Sequence, residues 1–390
     1  MKILHIVRGL ANVSGPTHIV RALSEHQARM GHHVEVFAVE NDGEPPVVPD
    51  PKLVTTRLFP ALFRSRAIGI SPQFWKALRR RVGEFDLVHI HMIWNFPTWC
   101  GAREAWLAGV PYIIAPQGSM EAWALARHRI CKWIYGTLFE NRFYHRAACF
   151  QALSLSEVEQ IRHFGVRTRI ERLANGVTLE THNGGARDPA VRERLGIPPG
   201  DLVLLFLGRI FPKKGLNLLA EAFGALCAER NDVTLVIAGH DAGTGHLAEV
   251  ERHLEETGAR GKTVFAGEVR GEAKFALLRA ADLFVLSSYS EGLPMAVLEA
   301  MACRLPVLIT PGCNLPEVTD CEAGWVVETT AERVADGLRT ALASTEELMR
   351  RGNRAYRLVE DRFTWEKIAA QSVGLYEELV AARGRKATSA

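Results

Sequence analysis

The sequence predicts an α/β protein of two doubly wound domains in tandem, each a parallel sheet with helices on both faces. Three observations carry this. Short apolar runs bounded by turn residues alternate with longer helical patterns, the alternation starts over midway, and 390 residues are too many for one comfortable hydrophobic core.

In the first half the apolar runs include Lys2–Val7, His33–Ala38, Leu87–His91, Tyr112–Ala115, Cys149–Leu153 and Ile170–Leu173. In the second they include Leu202–Leu207, Thr234–Ala238, Thr263–Ala266, Leu283–Leu286, Val307–Ile309 and Gly324–Val327. Such runs, short and continuous, read as strands covered on both faces. Between the two sets, residues 175–200 carry Asn175-Gly176, Gly184-Gly185, Pro189 and Pro198-Pro199 with little apolar periodicity, the composition of a connection between domains. The boundary is placed at 180/181, giving domains over 1–180 and 181–363. Tandem doubly wound domains are expected to set the carboxyl ends of both sheets, where such folds bind ligands, on either side of one cleft.

Composition narrows the function classes. With 47% hydrophobic and 23% charged residues the chain is globular rather than disordered, and a net charge of +3 does not mark a nucleic-acid binder. Seven cysteines form an odd set with no C-x-x-C pair, so they read as reduced, buried thiols. The chain opens on a strand rather than a signal peptide, and no apolar run approaches the ~18 residues of a membrane-spanning helix. The expected location is the cytoplasm.

The most informative stretch follows the strand Asp282–Leu286. A turn over Ser287–Gly292 leads to Pro294, expected at the first helical position, and to the run Met295–Ala302. Backbone amides of Gly292 and Leu293 at this helix start make a place for a diphosphate. Glu299 is the one charged residue on an otherwise apolar helix, which implies burial and hence nearby donors. The 2′ and 3′ hydroxyls of a ribose match its two oxygens; the plainer alternative is pairing with a structural Arg. Glu291, at the mouth of the turn, is placed to bond a sugar or the phosphate region, unless it is a solvated turn residue.

Cations accompany the two carboxylates. Gly208-Arg209 ends the strand Leu202–Leu207, and Lys214-Gly215 precedes a helix over 216–228. Two cations at a strand end can balance the charge of a leaving diphosphate, although either alone reads as a basic surface loop. No Asp-x-Asp pair, a common carboxylate cradle for a metal ion, occurs in the chain.

With Glu291 and Glu299 in E-x7-E spacing inside Ser290–Ala302, the sequence closely resembles glycosyltransferase family 4. Supporting motifs are Ser14-Gly15-Pro16, Asp86–His91, Asn175-Gly176-Val177, Gly208-Arg209 with Lys214-Gly215, and Phe363–Lys367. The resemblance implies the GT-B fold, with the last helix, 364–385, returning to pack on the first domain. It implies a metal-independent, retaining transfer of a sugar from a nucleotide diphosphate donor, without a side-chain nucleophile. Carried over by position, Arg209 and Lys214 clamp the diphosphate, Glu299 holds the donor ribose, Glu291 contacts the donor sugar, and the Gly15 loop approaches the phosphates. Two departures stand out: Pro116-Gln117-Gly118 replaces the His-Gly of many relatives, and Arg304 takes the place of a usual Gly.

The acceptor side, expected in the first domain, is less legible. His91, Trp94 and Gln117 are the candidates there, with Trp123 and Trp133 as further aromatics that can stack on sugars; core packing is the alternative for the tryptophans and a satisfied structural histidine for His91. Arg64, Arg66, Lys76, Arg79, Arg80, Arg81 and Arg127, Arg129, Lys132, interleaved with Phe63, Phe74, Trp75 and Trp133, suit either a solvated face or an anionic membrane carrying a lipid-linked acceptor. Many family members build lipopolysaccharide or other polysaccharides. The alternative reading is a nucleotide-sugar epimerase of the same architecture, against which the full E-x7-E element and both cations weigh. A nicotinamide-dependent dehydrogenase lacks its G-x-G-x-x-G after the first strand, and a non-catalytic carbohydrate-binding scaffold does not need the donor-site charges.

Overall fold

The computed structural model describes residues 1–11, 15–40, 46–62, 68–121, 124–125, 129–179, 189–241 and 243–388, the side chains of 385–388 excepted. Ser14, Phe63, Arg64, Arg66, Trp123, Arg127 and the Gly184-Gly185 pair lie outside the described residues. The chain divides into two compact units, Met1–Gly176 with Trp365–Ala390, and Val177–Thr364.

In the first unit seven parallel strands form one sheet: β1 (Lys2–Ile6), β2 (His33–Val39), β3 (Thr55–Phe59), β4 (Leu87–His91), β5 (Tyr112–Ala115), β6 (Cys149–Ala152) and β7 (Ile170–Arg172), in the order β3-β2-β1-β4-β5-β6-β7. The order reverses between β1 and β4, the switch point at which such sheets hold ligands. β3 was not anticipated from the sequence: as an edge strand it is only half covered, and Thr55 and Arg57 are exposed, so it has no apolar run. The C-terminal helix Trp365–Thr388 docks on this unit, with Trp365, Ile368 and Ala369 packed against Ile19, Leu23 and Leu173, and Tyr376 buried among Ile3, Val34 and Ile113.

The second unit has β8 (Leu202–Leu207), β9 (Val233–Ala238), β10 (Thr263–Gly267), β11 (Leu283–Leu286), β12 (Val307–Ile309) and β13 (Gly324–Val326), all parallel, in the order β10-β9-β8-β11-β12-β13. Every residue of β8, β9, β11 and β12 is buried, as continuous apolar runs require. The order reverses between β8 and β11.

The boundary falls at 176/177 rather than 180/181, because Val177 bridges Thr364 and donates its N–H to the Phe363 carbonyl. The expected connection is partly built structure. Its helix Pro189–Arg194 is fastened by Arg192, whose guanidinium lies 2.7 Å from the buried carboxylate of Asp282. Two smaller expectations are corrected. Pro294 caps the helix Met295–Ala302 from an extended conformation instead of opening it, and Cys131 is exposed while the other cysteines are buried or half-buried. Among the described residues no helix is long and apolar enough to cross a membrane.

Candidate active site

The loops after β8 and β11 meet at the switch point of the second unit. Gly208-Arg209 leaves β8, a short 3-10 turn over Pro212–Lys214 follows, and Gly215 opens the helix Leu216–Glu229 in a left-handed conformation (φ 66°). A Cβ on Gly215 would stand 1.9 Å from the Ser287 carbonyl oxygen. Only glycine lets the two loops approach this closely. Ser287 Oγ donates to the Gly215 carbonyl at 2.7 Å, and Tyr289 N–H donates to the Lys213 carbonyl at 2.9 Å.

That zipper brings Lys214 Nζ to 2.7 Å from Glu291 Oε1, and Ser288 Oγ donates to the same oxygen at 2.7 Å. Glu291 is therefore a buried, paired carboxylate, not a solvated turn residue: its side chain is 9% exposed. Its backbone is held as well, the N–H donating to the Gly312 carbonyl at 2.7 Å and the carbonyl accepting from Asn314 Nδ2. Arg209 is exposed, with its guanidinium 5.0 Å from the Phe211 ring centroid, and no carboxylate among the described residues pairs with it. Gly208 and Gly292 are half-buried and Leu293 is buried beside this turn.

Glu299 differs from expectation. It is partly exposed, at 19%, and Lys274 Nζ sits 2.6 Å from its Oε1. The partner is thus a lysine from the helix Gly271–Ala280 rather than the structural Arg of the alternative. Sequence reasoning called for a donor near Glu299 but had no spacing that points 25 residues back to Lys274. Ser288 and Asn314 were missed too; only the left-handed φ of Asn314, 55°, marks it as special, and that is invisible in sequence.

In the first unit His91, Trp94 and Gln117 come together at the ends of β4 and β5. His91 is buried, with Nδ1 accepting from Gln117 Nε2 at 3.1 Å. Trp94 has a left-handed backbone (φ 67°), its N–H donates to Glu140 at 3.0 Å, and its ring meets Phe164 edge-on. Burial pushes the Glu140 carboxyl up to about 7, against the hydrogen bonds from Tyr144, Trp94, Asn95 and Thr98. Trp133 is 69% exposed, so core packing does not explain it; it lines a depression of about 740 Å³ with Trp94, Arg129, Ile130, Lys132 and Phe164. Phe74 is core, which removes it from any membrane patch, whereas Trp75 stays exposed while its Nε1 donates to Glu104 at 2.8 Å. Gly15 opens the helix Gly15–Arg29, where a Cβ would meet nothing within 4 Å.

His5, His89 and His91 form the one group among the described residues whose side-chain nitrogens are close enough, within 4.8 Å, to hold a metal ion. Both nitrogens of His5 and both of His91 are already engaged in hydrogen bonds. Arg304 explains itself: it is the residue after the end of the helix Met295–Ala302, in a left-handed conformation (φ 59°) where glycine is the usual choice. Its guanidinium covers the Tyr356 ring at 3.9 Å.

Two doubly wound parallel sheets, the second with cations and carboxylates gathered at its switch point, define a doubly wound α/β architecture with a charged site where such sheets hold ligands. Residues 188–358 match the glycosyl transferases group 1 family and residues 14–176 the glycosyl transferase 4-like domain. A D-inositol 3-phosphate glycosyltransferase of Geodermatophilus obscurus is 30% identical over 97% of this chain and 88% of its own length. A GDP-mannose-dependent alpha-mannosyltransferase of Mycolicibacterium smegmatis is 28% identical over 97% of both. Among solved structures, a sucrose-phosphate synthase from Thermosynechococcus elongatus superposes with a TM-score of 0.76 at 22% identity, covering 98% of this chain and 100% of that one. The chain belongs to the group 1 glycosyltransferases and has the GT-B fold. These relatives lend the epimerase alternative no support.

Proposed function

We propose that the protein is a retaining, metal-independent family 4 transferase that moves a sugar from a nucleotide diphosphate donor to a glycan or lipid-linked acceptor in cell-surface polysaccharide synthesis. The observation that carries this reading is the Lys214–Glu291 pair at the β8/β11 switch point, with Arg209, which pairs with no carboxylate among the described residues, on the same loop as Lys214. Arg209 and Lys214 neutralise the charge that grows on the diphosphate as the bond to the sugar C1 breaks, the task a metal performs elsewhere. The acceptor oxygen bonds C1 on the face the leaving group vacates, and the acceptor proton passes to the departing phosphate oxygen. Glu291 orients the sugar. Glu299, with Lys274 on one oxygen, offers the other to the ribose hydroxyls.

The first unit takes the acceptor, with Trp94 and Gln117 as contacts, while His91, buried with both ring nitrogens engaged, stands behind Gln117 rather than touching the ligand as expected. The exposed apolar side chains Ile130, Trp133 and Leu138 beside Arg129 and Lys132 favour contact with an anionic membrane surface from the cytoplasmic side. The test is incubation with UDP-, GDP-, ADP- and dTDP-sugars in EDTA, followed by NMR of the anomeric carbon. Release of sugar with retained configuration supports the reading; epimer formation with the nucleotide bond intact, or turnover that needs added metal, sinks it.

A further inference from the structure

The buried histidines of β1 and β4 are not used by the donor site, and their hydrogen bonds run in one direction. The start is an atom with a single role. The Ala369 backbone carbonyl can only accept, so Ser372 Oγ donates to it at 2.7 Å. Ser372 then accepts from Gln27 Nε2 at 2.9 Å, which fixes that amide and leaves Gln27 Oε1 to accept from His5 Nε2 at 2.7 Å. A neutral imidazole carries one proton, so His5 Nδ1 accepts from His91 Nε2 at 2.9 Å, and His91 Nδ1 accepts from Gln117 Nε2 at 3.1 Å. On a side branch, Tyr376 Oη accepts from Gln27 at 3.3 Å and donates to His89 Nδ1 at 2.6 Å. Burial holds the His5 pKa down at about 4 and those of His89 and His91 well below their usual value, so each ring is neutral at pH 7.

The polarity ends on Gln117, whose Oε1 is buried and has no hydrogen-bond partner among the described residues. A dry, unpaired acceptor is a cost that native proteins rarely carry without a use. Gln117 also has a left-handed backbone (φ 52°), as do Met92 (68°) and Trp94 (67°) after the neighbouring strand. Such conformations in non-glycine residues gather where ligands are held.

We propose that this relay is a tautomer lock: Ala369, through Ser372, Gln27, His5 and His91, holds the Gln117 carboxamide with its oxygen reserved for a hydroxyl of a sugar or cyclitol ring. Gln117 is the contact; His5, Gln27 and Ser372 are positioning residues that never touch the ligand. A carbonyl or anionic oxygen at the same place would face acceptor against acceptor. The identity of the ligand rests on the transferase reading above, whereas the lock does not.

The test uses the full chain labelled with 15N-histidine, as wild type, Gln27→Met and Ser372→Ala. The expected result at pH 7 is His91 protonated at Nε2 in wild type, and a mixed or inverted tautomer in at least one variant. Hydrolysis of UDP-glucose and GDP-mannose is measured alongside; on whichever donor turns over, the same variant loses fivefold or more in kcat while its KM stays within twofold. Wild-type His91 protonated at Nδ1, an unchanged tautomer in both variants, or stoichiometric metal in the purified protein overturns the lock. A changed tautomer with unchanged kcat overturns the ligand role. Absence of turnover on both donors counts against the transferase reading and leaves the tautomer to decide the lock.

Discussion

Lys214 Nζ lies 2.7 Å from Glu291 Oε1, and the two residues come from loops that follow adjacent strands, β8 and β11. Each charge depends on the other for its place in a nearly dry turn. Removing one partner strands the other, at about 2–3 kcal/mol once partial exposure of the lysine is allowed for. Lys214→Ala and Glu291→Ala are each expected to lose that much in urea unfolding, and the double variant is expected to be no less stable than the worse single one. Additive losses would contradict the pairing. Turnover of Lys214→Ala is expected to fall about a hundredfold, the usual effect of deleting a group that meets developing charge.

Glu299 and Lys274 give a separate prediction. On the proposal that Glu299 holds the donor ribose, Glu299→Ala removes that contact and takes the carboxylate from Lys274, so titration calorimetry with UDP and GDP is expected to show about tenfold weaker binding of whichever binds wild type, about 1.4 kcal/mol. Lys274→Met frees the carboxylate to turn, and weakens binding in the same direction. Unchanged affinity in both variants would remove Glu299 from the nucleotide site.

The buried histidines make stability depend on pH. In the unfolded chain they take up protons below about pH 6.5, but in the native protein burial holds His5 down at about 4 and His89 and His91 well below their usual value. Their contribution is fully present above pH 6.5 and is lost as the pH falls. Glu140 acts in the opposite sense: raised to about 7, it binds its proton in the native state first and favours folding as the pH drops from 7 towards 4.5. Three imidazoles outweigh one carboxyl, so the net effect is a loss of stability as the pH falls below about 6.5. Melting temperatures are expected to fall steeply between pH 6.5 and 5, more steeply in Glu140→Gln. A flat profile would contradict the neutral, buried cluster.

Arg304 tests the reading of the helix end. Arg304→Gly gains relief from the left-handed backbone and loses the stack on Tyr356, two effects of about 1 kcal/mol each, so its stability stays within about 1 kcal/mol of wild type. Arg304→Val keeps the strain without the stack and is expected to melt measurably lower.

How much of this was written in the sequence follows from how each feature is encoded. Continuous apolar strands such as Leu202–Leu207 and the E-x7-E spacing are local signals, and both sheets and the Glu291 neighbourhood were legible from them. Edge strand Thr55–Phe59 was not, because half-exposed strands carry mixed residues. Lys274 was not, because an ion pair between helices leaves no spacing in the chain. Glu299 was read as buried from the apolarity of its own helix, but Lys274 on the neighbouring helix keeps that flank polar and partly open. The histidine relay was hidden for the same reason: β1, β4, the helix Gly15–Arg29 and the C-terminal helix each supply one part.

The most direct measurement is binding of a panel of UDP-, GDP-, ADP- and dTDP-sugars, by saturation-transfer NMR and calorimetry, to wild type and to the Arg209→Ala, Lys214→Ala and Glu299→Ala variants. At least one nucleotide sugar is expected to bind, with Glu299→Ala weakening its binding about tenfold and Arg209→Ala and Lys214→Ala mainly lowering turnover. Wild-type binding and kinetics in all three variants would place the donor site elsewhere.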